Sequence, residues 1–339
     1  MSGTDLNAVA CAMVAPGKGI LAADESSPTI KKRFDTISAE STVDSRRSYR
    51  EMLFTAPGAA DYIGGVILFD ETLRQSTSDG TPFPEYLASQ GMIPGIKVDK
   101  GAKPLAAHTG ETVTEGLDGL RERLAEYRSL GAQFAKWRAV IDIAAGIPSE
   151  FCLLANAHAL ARYAALCQES GIVPIVEPEV LMDGDHDIAR CAEVTKRILD
   201  ATFEQLNAHR VQLDGMVLKP NMVISGKKCA HQASIDEVAA ATVRCLNDHV
   251  PDEVPGIAFL SGGQSDTDAT AHLNAMNRLG PHPWELSFSY GRALQAAALA
   301  AWSGQTENFS AGQSAFALRA KLNGLARSGS YEISMESAA

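Results

Sequence analysis

Short apolar runs recur along the chain, each followed by turn-forming or ionisable residues, and they predict eight buried β-strands. The runs are residues 20–24, 66–69, 95–97, 134–136, 173–177, 257–260 and 286–290, together with the run that ends at Lys219. They lie about 30 to 45 residues apart, so each gap can hold a helix. Because parallel strands buried on both faces read as continuous apolar runs, we expect an α/β fold with a single closed (β/α)8 TIM barrel.

Helical periodicity fills several of the gaps between these runs. Five segments have the composition and apolar spacing of outer-ring helices: residues 41–61, 116–130, 149–170, 186–209 and 234–249. A further helical segment covers residues 311–325, and the chain after it is rich in Ser, Gly and Glu without an apolar period. We therefore predict one catalytic domain over residues 1–327 and a mobile C-terminal tail over residues 328–339.

The composition is that of an ordinary folded enzyme. Of the 339 residues, 45% are hydrophobic and 21% are charged, and no stretch approaches the roughly 20 apolar residues of a membrane span. The formal net charge of −11 argues against nucleic acid as the main partner, because phosphate-backbone binding usually requires a basic face. Residues 1–15 lack the basic and apolar regions of a signal peptide, so we expect a soluble, cytoplasmic protein without a membrane partner.

The cysteines and the acidic loops do not predict a metal centre or a disulfide framework. The six cysteines include no CxxC pair and no zinc-type spacing, so reduced thiols are expected. Residues 183–187 read Asp-Gly-Asp-His-Asp, but the segment lacks the full calcium-loop pattern with its terminal glutamate. We therefore expect neither a metal ion nor another cofactor.

Ionisable residues stand at the ends of several predicted strands, where barrel enzymes hold their catalytic groups. Lys219 ends an apolar run just before Pro220, which is a suitable place for a buried, nucleophilic amine. A neutral lysine attacks a ketone to form an iminium, which accepts electrons when a neighbouring carbon–carbon bond breaks. Lys136 can favour the neutral amine as a nearby ammonium group, and Glu177 and Glu179 can transfer protons from one side of their strand.

A structural reading of the same residues stays open, since charged pairs can also close a barrel mouth. For a single lysine–glutamate pair, that reading is the better one. Three lysines, two glutamates and an aspartate at strand ends cost too much desolvation to serve stability alone, so the set as a whole favours a catalytic site.

Two loops contain the residues of a phosphate site. Ser261-Gly262-Gly263-Gln264-Ser265 follows the seventh strand and Ser289-Tyr290-Gly291-Arg292 follows the eighth, the positions where phosphate sites recur in barrels. Glycines let backbone N–H groups approach an oxygen closely, and the arginine adds a positive charge with forked geometry.

A second basic cluster, Lys31-Lys32-Arg33, comes after Ser26 and Thr29 at the end of the first predicted strand. The cluster either meets another phosphate or forms the solvated start of a helix. Since the protein is acidic as a whole, an anionic substrate needs such a local group of cations.

Seven multi-residue motifs follow one another along the chain. They are Gly-Ile-Leu-Ala-Ala-Asp-Glu-Ser (19–26), Gly-Ile-Lys-Val-Asp-Lys-Gly (95–101), Phe-Ala-Lys-Trp-Arg (134–138), Ile-Val-Glu-Pro-Glu (175–179), Leu-Lys-Pro-Asn-Met (218–222), Leu-Ser-Gly-Gly-Gln-Ser (260–265) and Phe-Ser-Tyr-Gly-Arg-Ala-Leu-Gln (288–295). In this order they resemble class I fructose-bisphosphate aldolase, and the resemblance runs from about residue 5 to about residue 325. Such a series is far more specific than one glycine motif.

The resemblance implies a metal-independent enzyme that reversibly cleaves fructose 1,6-bisphosphate into dihydroxyacetone phosphate and glyceraldehyde 3-phosphate. Lys219 matches the Schiff-base lysine and Glu177 the general acid/base of Schiff-base formation and dehydration. Asp24 matches the group at the C4 hydroxyl, and Lys136 the charged neighbour that tunes the site. The supporting members of this network are Glu179 and Arg138.

The resemblance also assigns both phosphates of the substrate. The residues that match the site of the ketose C1 phosphate are Ser261, Gly262, Gly263, Gly291 and Arg292. Those that match the far phosphate are Ser26, Thr29, Arg33 and Lys97. The implied assembly is a homotetramer.

Other readings remain beside this one. A zinc-dependent aldolase would act on the same sugar but needs histidine-rich ligation. A barrel without catalysis would serve as a scaffold or binding protein. The sequence ends in Ser-Ala-Ala, whereas well-known animal members end in a tyrosine that assists proton exchange on the enamine. Preference among fructose 1,6-bisphosphate, sedoheptulose 1,7-bisphosphate and fructose 1-phosphate is not predicted.

Overall fold

The computed structural model describes residues 5–337, and its centre is a closed barrel of parallel strands. The strands, in chain order, are β1 (Gly19–Ala23), β2 (Ile63–Leu68), β3 (Ile93–Lys97), β4 (Ala102–Pro104), β5 (Thr112–Thr114), β6 (Phe134–Ile141), β7 (Val173–Val180), β8 (Val217–Leu218), β9 (Gly256–Phe259) and β10 (Glu285–Tyr290). Strands β4 and β5 form a separate antiparallel hairpin, and the other eight close in the order β1-β10-β9-β8-β7-β6-β3-β2. The predicted barrel and its eight strands are confirmed.

Helices occupy the connections between the strands. The α-helices are α1 (Leu6–Met13), α2 (Ser27–Asp35), α3 (Val43–Phe54), α4 (Asp70–Leu73), α5 (Phe83–Ser89), α6 (Leu120–Ser129), α7 (Glu150–Glu169), α8 (Ile188–Ala208), α9 (Ile235–His249), α10 (Asp266–Arg278), α11 (Arg292–Trp302) and α12 (Phe309–Ala326). Short 3-10 helices cover Ala59–Asp61, Leu213–Gly215, Thr306–Asn308 and Ile333–Ser337. Among the residues that the structure describes, no helix is both long and apolar enough to cross a membrane.

The predicted helices are confirmed with one correction, over residues 41–61. There α3 ends at Phe54, and only a short 3-10 helix follows at Ala59–Asp61. Pro57 has no backbone N–H and Gly58 takes a left-handed φ of 76°, so the helix cannot continue through this segment.

Side-chain caps fix where several of the helices begin. Ser234 accepts a hydrogen bond from the backbone of Glu237, whose carboxylate accepts one in return from the Ser234 backbone, which makes a capping box for α9. Ser265 caps α10 in the same way, by accepting from the backbone N–H of Asp268. These caps set the register of each helix relative to the loop before it.

The barrel interior is filled by side chains that alternate along the strands. Ile20, Phe134, Ile175 and Val217 belong to one buried cluster, together with Met13 of α1. Because strand side chains repeat every two residues on one face, each inward row continues towards the carboxyl end of its strand. Lys136, Glu177 and Lys219 take the next inward position of their rows, two residues after Phe134, Ile175 and Val217. Asp24 takes the second inward position after Ile20.

Gly95 makes room for the largest side chain in this interior. A Cβ atom on Gly95 would lie 2.3 Å from the ring of Phe134, so a larger residue would collide with the ring. The same strand pair places Lys97 beside Lys136 in the parallel register. Strands β3 and β6 therefore position both the packed Gly95–Phe134 pair in the barrel interior and the two lysines at the strand ends.

The C-terminal residues pack against the barrel in the part that the structure describes, and the mobility of residues 328–339 stays a prediction. Tyr331 is 3% exposed; its backbone N–H donates to Asn274 Oδ1 at 3.0 Å and its hydroxyl to Glu336 Oε1 at 2.8 Å. Glu336 also pairs with the buried guanidinium of Arg319 on α12 at 2.6 Å. One ring and one ion pair thus anchor a segment whose composition suggested neither. Residues 338–339 lie outside the described residues.

Candidate active site

A cavity of about 710 Å³ opens at the carboxyl ends of the barrel strands. It brings together residues that are more than 260 positions apart in the sequence. The predicted site residues that line it are Asp24, Ser26, Thr29, Arg33, Lys97, Lys136, Arg138, Glu177, Glu179, Lys219, Ser261, Gly262, Gly291 and Arg292. Gly263 does not line the cavity and lies beside its rim, next to Arg292.

Lys219 lines this cavity and is positioned by the short strand β8. Its backbone N–H donates to Val176 O at 2.8 Å, which extends the pairing of β8 with β7 by one residue. Pro220 has no N–H to continue the ladder, so the regular strand ends and the chain turns away. The lysine Nζ then lies 3.2 Å from Glu177 Oε1, with side chains only 5% and 4% exposed. A buried amine beside a buried carboxylate can exchange a proton with it.

Lys136 joins the carboxylates of three strand ends. Its Nζ lies 2.7 Å from Asp24 Oδ2, 3.6 Å from Glu177 Oε2 and 3.7 Å from Asp99 Oδ2. Burial alone would lower the pKa of Lys136, but these three carboxylates raise it above its ordinary value. Lys136 is therefore an ammonium group, and Glu177 lies between it and Lys219.

Asp24 stays ionised despite its burial. Burial alone would raise its pKa, but the ammonium groups of Lys136 and Lys219 outweigh that effect and hold the pKa well below its usual range. A carboxylate that is ionised and buried can accept a hydrogen bond or a proton from a substrate hydroxyl. The positive charges of Lys136 and Lys219 thus keep Asp24 in its ionised form.

Asp99 is a member of this network that the sequence analysis missed. Its Oδ1 accepts from Lys97 Nζ at 2.6 Å and from the Gly101 backbone at 3.1 Å, while its Oδ2 faces Lys136. Asp99 lies two residues beyond the end of β3, whereas the sequence analysis looked for ionisable residues at the strand ends themselves. Its two-residue spacing from Lys97 was the available signal, because that spacing places both side chains on one face of an extended chain.

Arg138 and Glu179 form an ion pair on the next inward positions of β6 and β7. The guanidinium is partly exposed to the cavity, whereas the carboxylate is 6% exposed. The pair lies two residues beyond Lys136 and Glu177 along these strands, towards the opening of the cavity. It can therefore contact the parts of a bound molecule that extend away from Lys219.

The loops after β9 and β10 form an open, positively charged corner. Gly262 and Gly263 have φ values of 59° and 93°, a left-handed conformation that glycine adopts without strain. Ser261 is 6% exposed beside them. The guanidinium of Arg292 makes no hydrogen bond or ion pair with any residue from 5 to 337, so it is available to an anion.

A second set of polar groups follows β1. Ser26 Oγ and Thr29 Oγ1 lie 3.1 Å apart at the start of α2, and both line the cavity. Arg33 pairs with Glu25, which also pairs with the buried Arg50 at 2.8 Å. The basic cluster therefore does not form the start of a helix, since Lys32 and Arg33 lie in the last turn of α2, and Arg33 is held by a buried carboxylate.

Gln295 is the other contact that the sequence analysis missed. Its amide donates to Ala22 O at 2.7 Å and to Glu25 Oε1 at 2.9 Å, across a separation of more than 260 residues. The residue lies within the last quoted motif, but nothing in the sequence near it indicates a contact with β1.

Within residues 5–337, no three side chains of His, Cys, Asp or Glu are grouped so as to hold a metal ion.

Together, the fold and the site define a barrel with a buried lysine beside carboxylates and with positively charged side chains at two ends of its cavity. The particular family is identified by comparison. A family model described as fructose-bisphosphate aldolase class-I matches residues 5–339. The chain belongs to the class I fructose-bisphosphate aldolases.

Individual relatives agree over nearly the whole chain. The probable fructose-bisphosphate aldolase class 1 of Xanthomonas campestris pv. campestris is 61% identical over 333 residues, which cover 98% of this chain and 100% of that protein. Fructose-bisphosphate aldolase C of Rattus norvegicus is 53% identical, with 97% of this chain and 91% of that protein covered.

Solved structures give the same result. A co-crystal structure of fructose-bisphosphate aldolase from Plasmodium falciparum, in complex with TRAP and a small-molecule inhibitor, has a TM-score of 0.95 and 48% identity. The match covers 96% of this chain and 95% of that chain. The protein is thus a carbon–carbon lyase that cleaves fructose 1,6-bisphosphate, by the Schiff-base mechanism general to its class.

Proposed function

We propose that Lys219 is the residue that forms the Schiff base, and that the cavity around it holds one open-chain fructose 1,6-bisphosphate. The observation that carries this assignment is the 3.2 Å contact between Lys219 Nζ and Glu177 Oε1, two residues that line the cavity. An amine needs a partner that can remove and return protons when it adds to a ketone. Glu177 is the buried carboxylate that contacts Lys219 and can do both.

In the first step, Lys219 attacks the C2 ketone of the substrate and forms a new C–N bond. The carbonyl oxygen becomes a hydroxyl, and Glu177 transfers the proton that lets it leave as water. The product is an iminium, whose positive charge is introduced near Asp24 and Glu177. Their negative charges stabilise it in a site from which much of the solvent is excluded.

In the second step, Asp24 accepts the proton of the C4 hydroxyl. The C3–C4 bond breaks, C4 becomes the aldehyde of glyceraldehyde 3-phosphate, and the bonding electrons move into the iminium to give an enamine. Protonation at C3 and addition of water then release dihydroxyacetone phosphate and restore the amine. Lys136 keeps Asp24 ionised for this role, since its ammonium group lies 2.7 Å away.

The two phosphates are assigned to the two cationic ends of the cavity. The C1 phosphate would lie among Ser261, Gly262, Gly263, Gly291 and Arg292. The far phosphate would lie among Ser26, Thr29, Arg33 and Lys97. A bisphosphate carries a charge near −4, at about −2 per group, so both ends need cations even in a protein whose net charge is negative.

A cleavage assay in the presence of a chelator tests this proposal. We expect the wild type to cleave fructose 1,6-bisphosphate at an unchanged rate in excess chelator, and Lys219→Ala to lose at least about a thousandfold in kcat. Lys31→Ala is the matched control, because the Lys31 side chain is 62% exposed and its ion pair is with the exposed Asp35. A folded wild type without turnover would favour the scaffold alternative. Activity that the chelator abolishes would favour a metal-dependent enzyme.

We also propose a homotetramer in the cytoplasm. The exposed side chains of Phe151 and Leu154, at 51% and 49%, lie one turn apart on α7 and support a contact between subunits. The six unpaired cysteines are compatible with a reducing compartment. Sedimentation analysis of the wild type and of Phe151→Ser tests the assembly. A monomeric wild type would contradict it.

A further inference from the structure

We infer that Lys227 is a further substrate-binding residue, which contacts the ketose phosphate at the Gly263 corner from outside the cavity lining. This inference rests on the proposed function, because it deepens the assignment of the C1 phosphate to that corner. Lys227 lies in the loop that follows β8 and is not among the residues of the seven motifs.

The geometry at Gly263 carries the inference. A Cβ atom added to Gly263 would lie 2.6 Å from Lys227 Nζ and 2.9 Å from Arg292 Nη2. An ammonium and a guanidinium thus converge on one small volume that a side chain would fill. Like charges repel each other at this range, so the arrangement is favourable when an anion lies between them. Glycine leaves that volume open.

The loop that carries Lys227 is fixed by backbone hydrogen bonds. The N–H groups of Gly226, Lys227 and Lys228 donate to the carbonyl oxygens of three residues in the loop after β7, at 2.8, 2.7 and 2.9 Å. The acceptors are His186, Met182 and Gly184. A Cβ on Gly226 would lie 2.3 Å from the Gly184 carbonyl oxygen, so this close approach requires a glycine. The position of the lysine backbone is therefore set before substrate binds.

The resident counter-ion of Lys227 is weakly held. Its Nζ pairs with Asp183 Oδ1 at 2.9 Å, and the two side chains are 37% and 63% exposed. Exposed pairs of this kind contribute little, because water screens them. A phosphate with about two negative charges competes well with one exposed carboxylate. The ammonium has three N–H donors, so it can contact both groups at once.

Steady-state kinetics with fructose 1-phosphate isolates this corner, because that substrate has its only phosphate at the C1 end. For Lys227→Met we expect KM to rise about 3- to 10-fold with kcat within about twofold, for fructose 1-phosphate and fructose 1,6-bisphosphate alike. Lys228→Met is the control at the adjacent position and should leave both constants unchanged. Asp183→Asn releases the ammonium from its counter-ion and should lower KM.

A second variant distinguishes a failure of the Lys227 inference from a failure of the C1-phosphate site itself. Arg292→Met should raise KM for fructose 1-phosphate more than Lys227→Met does, if the C1 phosphate lies at this corner. A raised KM in Arg292→Met with an unchanged KM in Lys227→Met would overturn the inference and leave the phosphate site intact. Unchanged KM values in both variants would refute the phosphate site itself. A fall in kcat and thermal midpoint of Lys227→Met without a rise in KM would show a structural role and also overturn the inference.

Discussion

Replacing Lys136 by methionine removes one charge from a site in which ammonium and carboxylate groups balance. The three ammonium groups are those of Lys97, Lys136 and Lys219, and the three carboxylates are those of Asp24, Asp99 and Glu177. Methionine has a similar length and no charge, so the variant leaves this site with one excess negative charge. We expect a loss of stability that depends on pH.

The magnitude follows from the distances. With an effective dielectric constant near 20, a charge pair 2.7 Å apart attracts by about 6 kcal/mol, and pairs at 3.6 and 3.7 Å attract by about 4.5 kcal/mol each. This gross loss is not reached, because one carboxyl group can bind a proton instead. Protonating a carboxyl of ordinary pKa near 4 costs about 5 kcal/mol at pH 7.5 and about 2 kcal/mol at pH 5.5. The expected losses are about 3–5 kcal/mol at pH 7.5 and about 1–2 kcal/mol at pH 5.5.

The sign of the pH dependence distinguishes the variant from the wild type. Between pH 5.5 and 7.5 the folded variant holds one proton that the unfolded chain, with a carboxyl pKa near 4, has already lost, so the stability of the variant increases as the pH falls. In the wild type, the pKa of Asp24 is lowered by folding. Its contribution is fully present above the unfolded pKa, near 4, and is lost only as the pH falls from there towards the folded value. Between pH 7.5 and 5.5 this pair therefore gives the wild type no change.

Urea unfolding at both pH values is the assay, with Lys31→Met as the control. The Lys31–Asp35 pair has side chains 62% and 54% exposed, so that control should shift the unfolding free energy by less than about 1 kcal/mol. A Lys136→Met protein as stable as the wild type at pH 7.5 would refute the reasoning. So would a loss that grows as the pH falls to 5.5.

Three further predictions concern catalysis, the tail and the barrel packing. Glu177→Gln should lower kcat about 10²- to 10⁴-fold in a stopped-flow cleavage assay, because an amide cannot relay a proton; an unchanged kcat would exclude the role. Glu336→Gln leaves the 4%-exposed Arg319 without its counter-ion, so limited proteolysis should cut residues 328–337 faster than in the wild type, and equal rates would contradict the docking. Gly95→Ala places a Cβ 2.3 Å from the Phe134 ring and should cost about 1–3 kcal/mol, seen as a lower thermal midpoint in calorimetry. An unchanged midpoint would show that the ring can move aside.

The barrel strands could be predicted because burial on both faces gives them continuous apolar runs. Strand β7 illustrates this, since all eight of its residues are buried. Its polar members, Glu177 and Glu179, are buried at the carboxyl end, where the sequence departs from the apolar pattern. The same departure that ends an apolar run marks the catalytic face of the barrel.

Helices α10 and α11 were not among the predicted segments. Helix α11 is almost entirely apolar after Arg292, so its sequence also fits a buried strand, and α10 contains several Asp, Thr and Asn residues, which also favour turns. The Ser265 cap was the available signal for α10. The contacts of Tyr331 and Glu336 were not predicted either, because a single buried tyrosine and one ion pair leave no periodic pattern.

Within the site, the sequence was informative where a residue stands at a strand end and uninformative where tertiary contact alone places it. Lys136 and Lys219 belong to the first group. Glu25 and Gln295 belong to the second, since they meet across the closure of β1 with β10. Only the register of the closed barrel brings such residues together.

Borohydride trapping is the most direct test of the central assignment. The wild type and Lys219→Ala are incubated with dihydroxyacetone phosphate and chelator, reduced and analysed by peptide mass spectrometry, with circular dichroism to verify that both are folded. We predict one stable adduct on the peptide that contains Lys219, absent from the variant. A folded wild type without an adduct, or with its adduct on another lysine, would contradict the account.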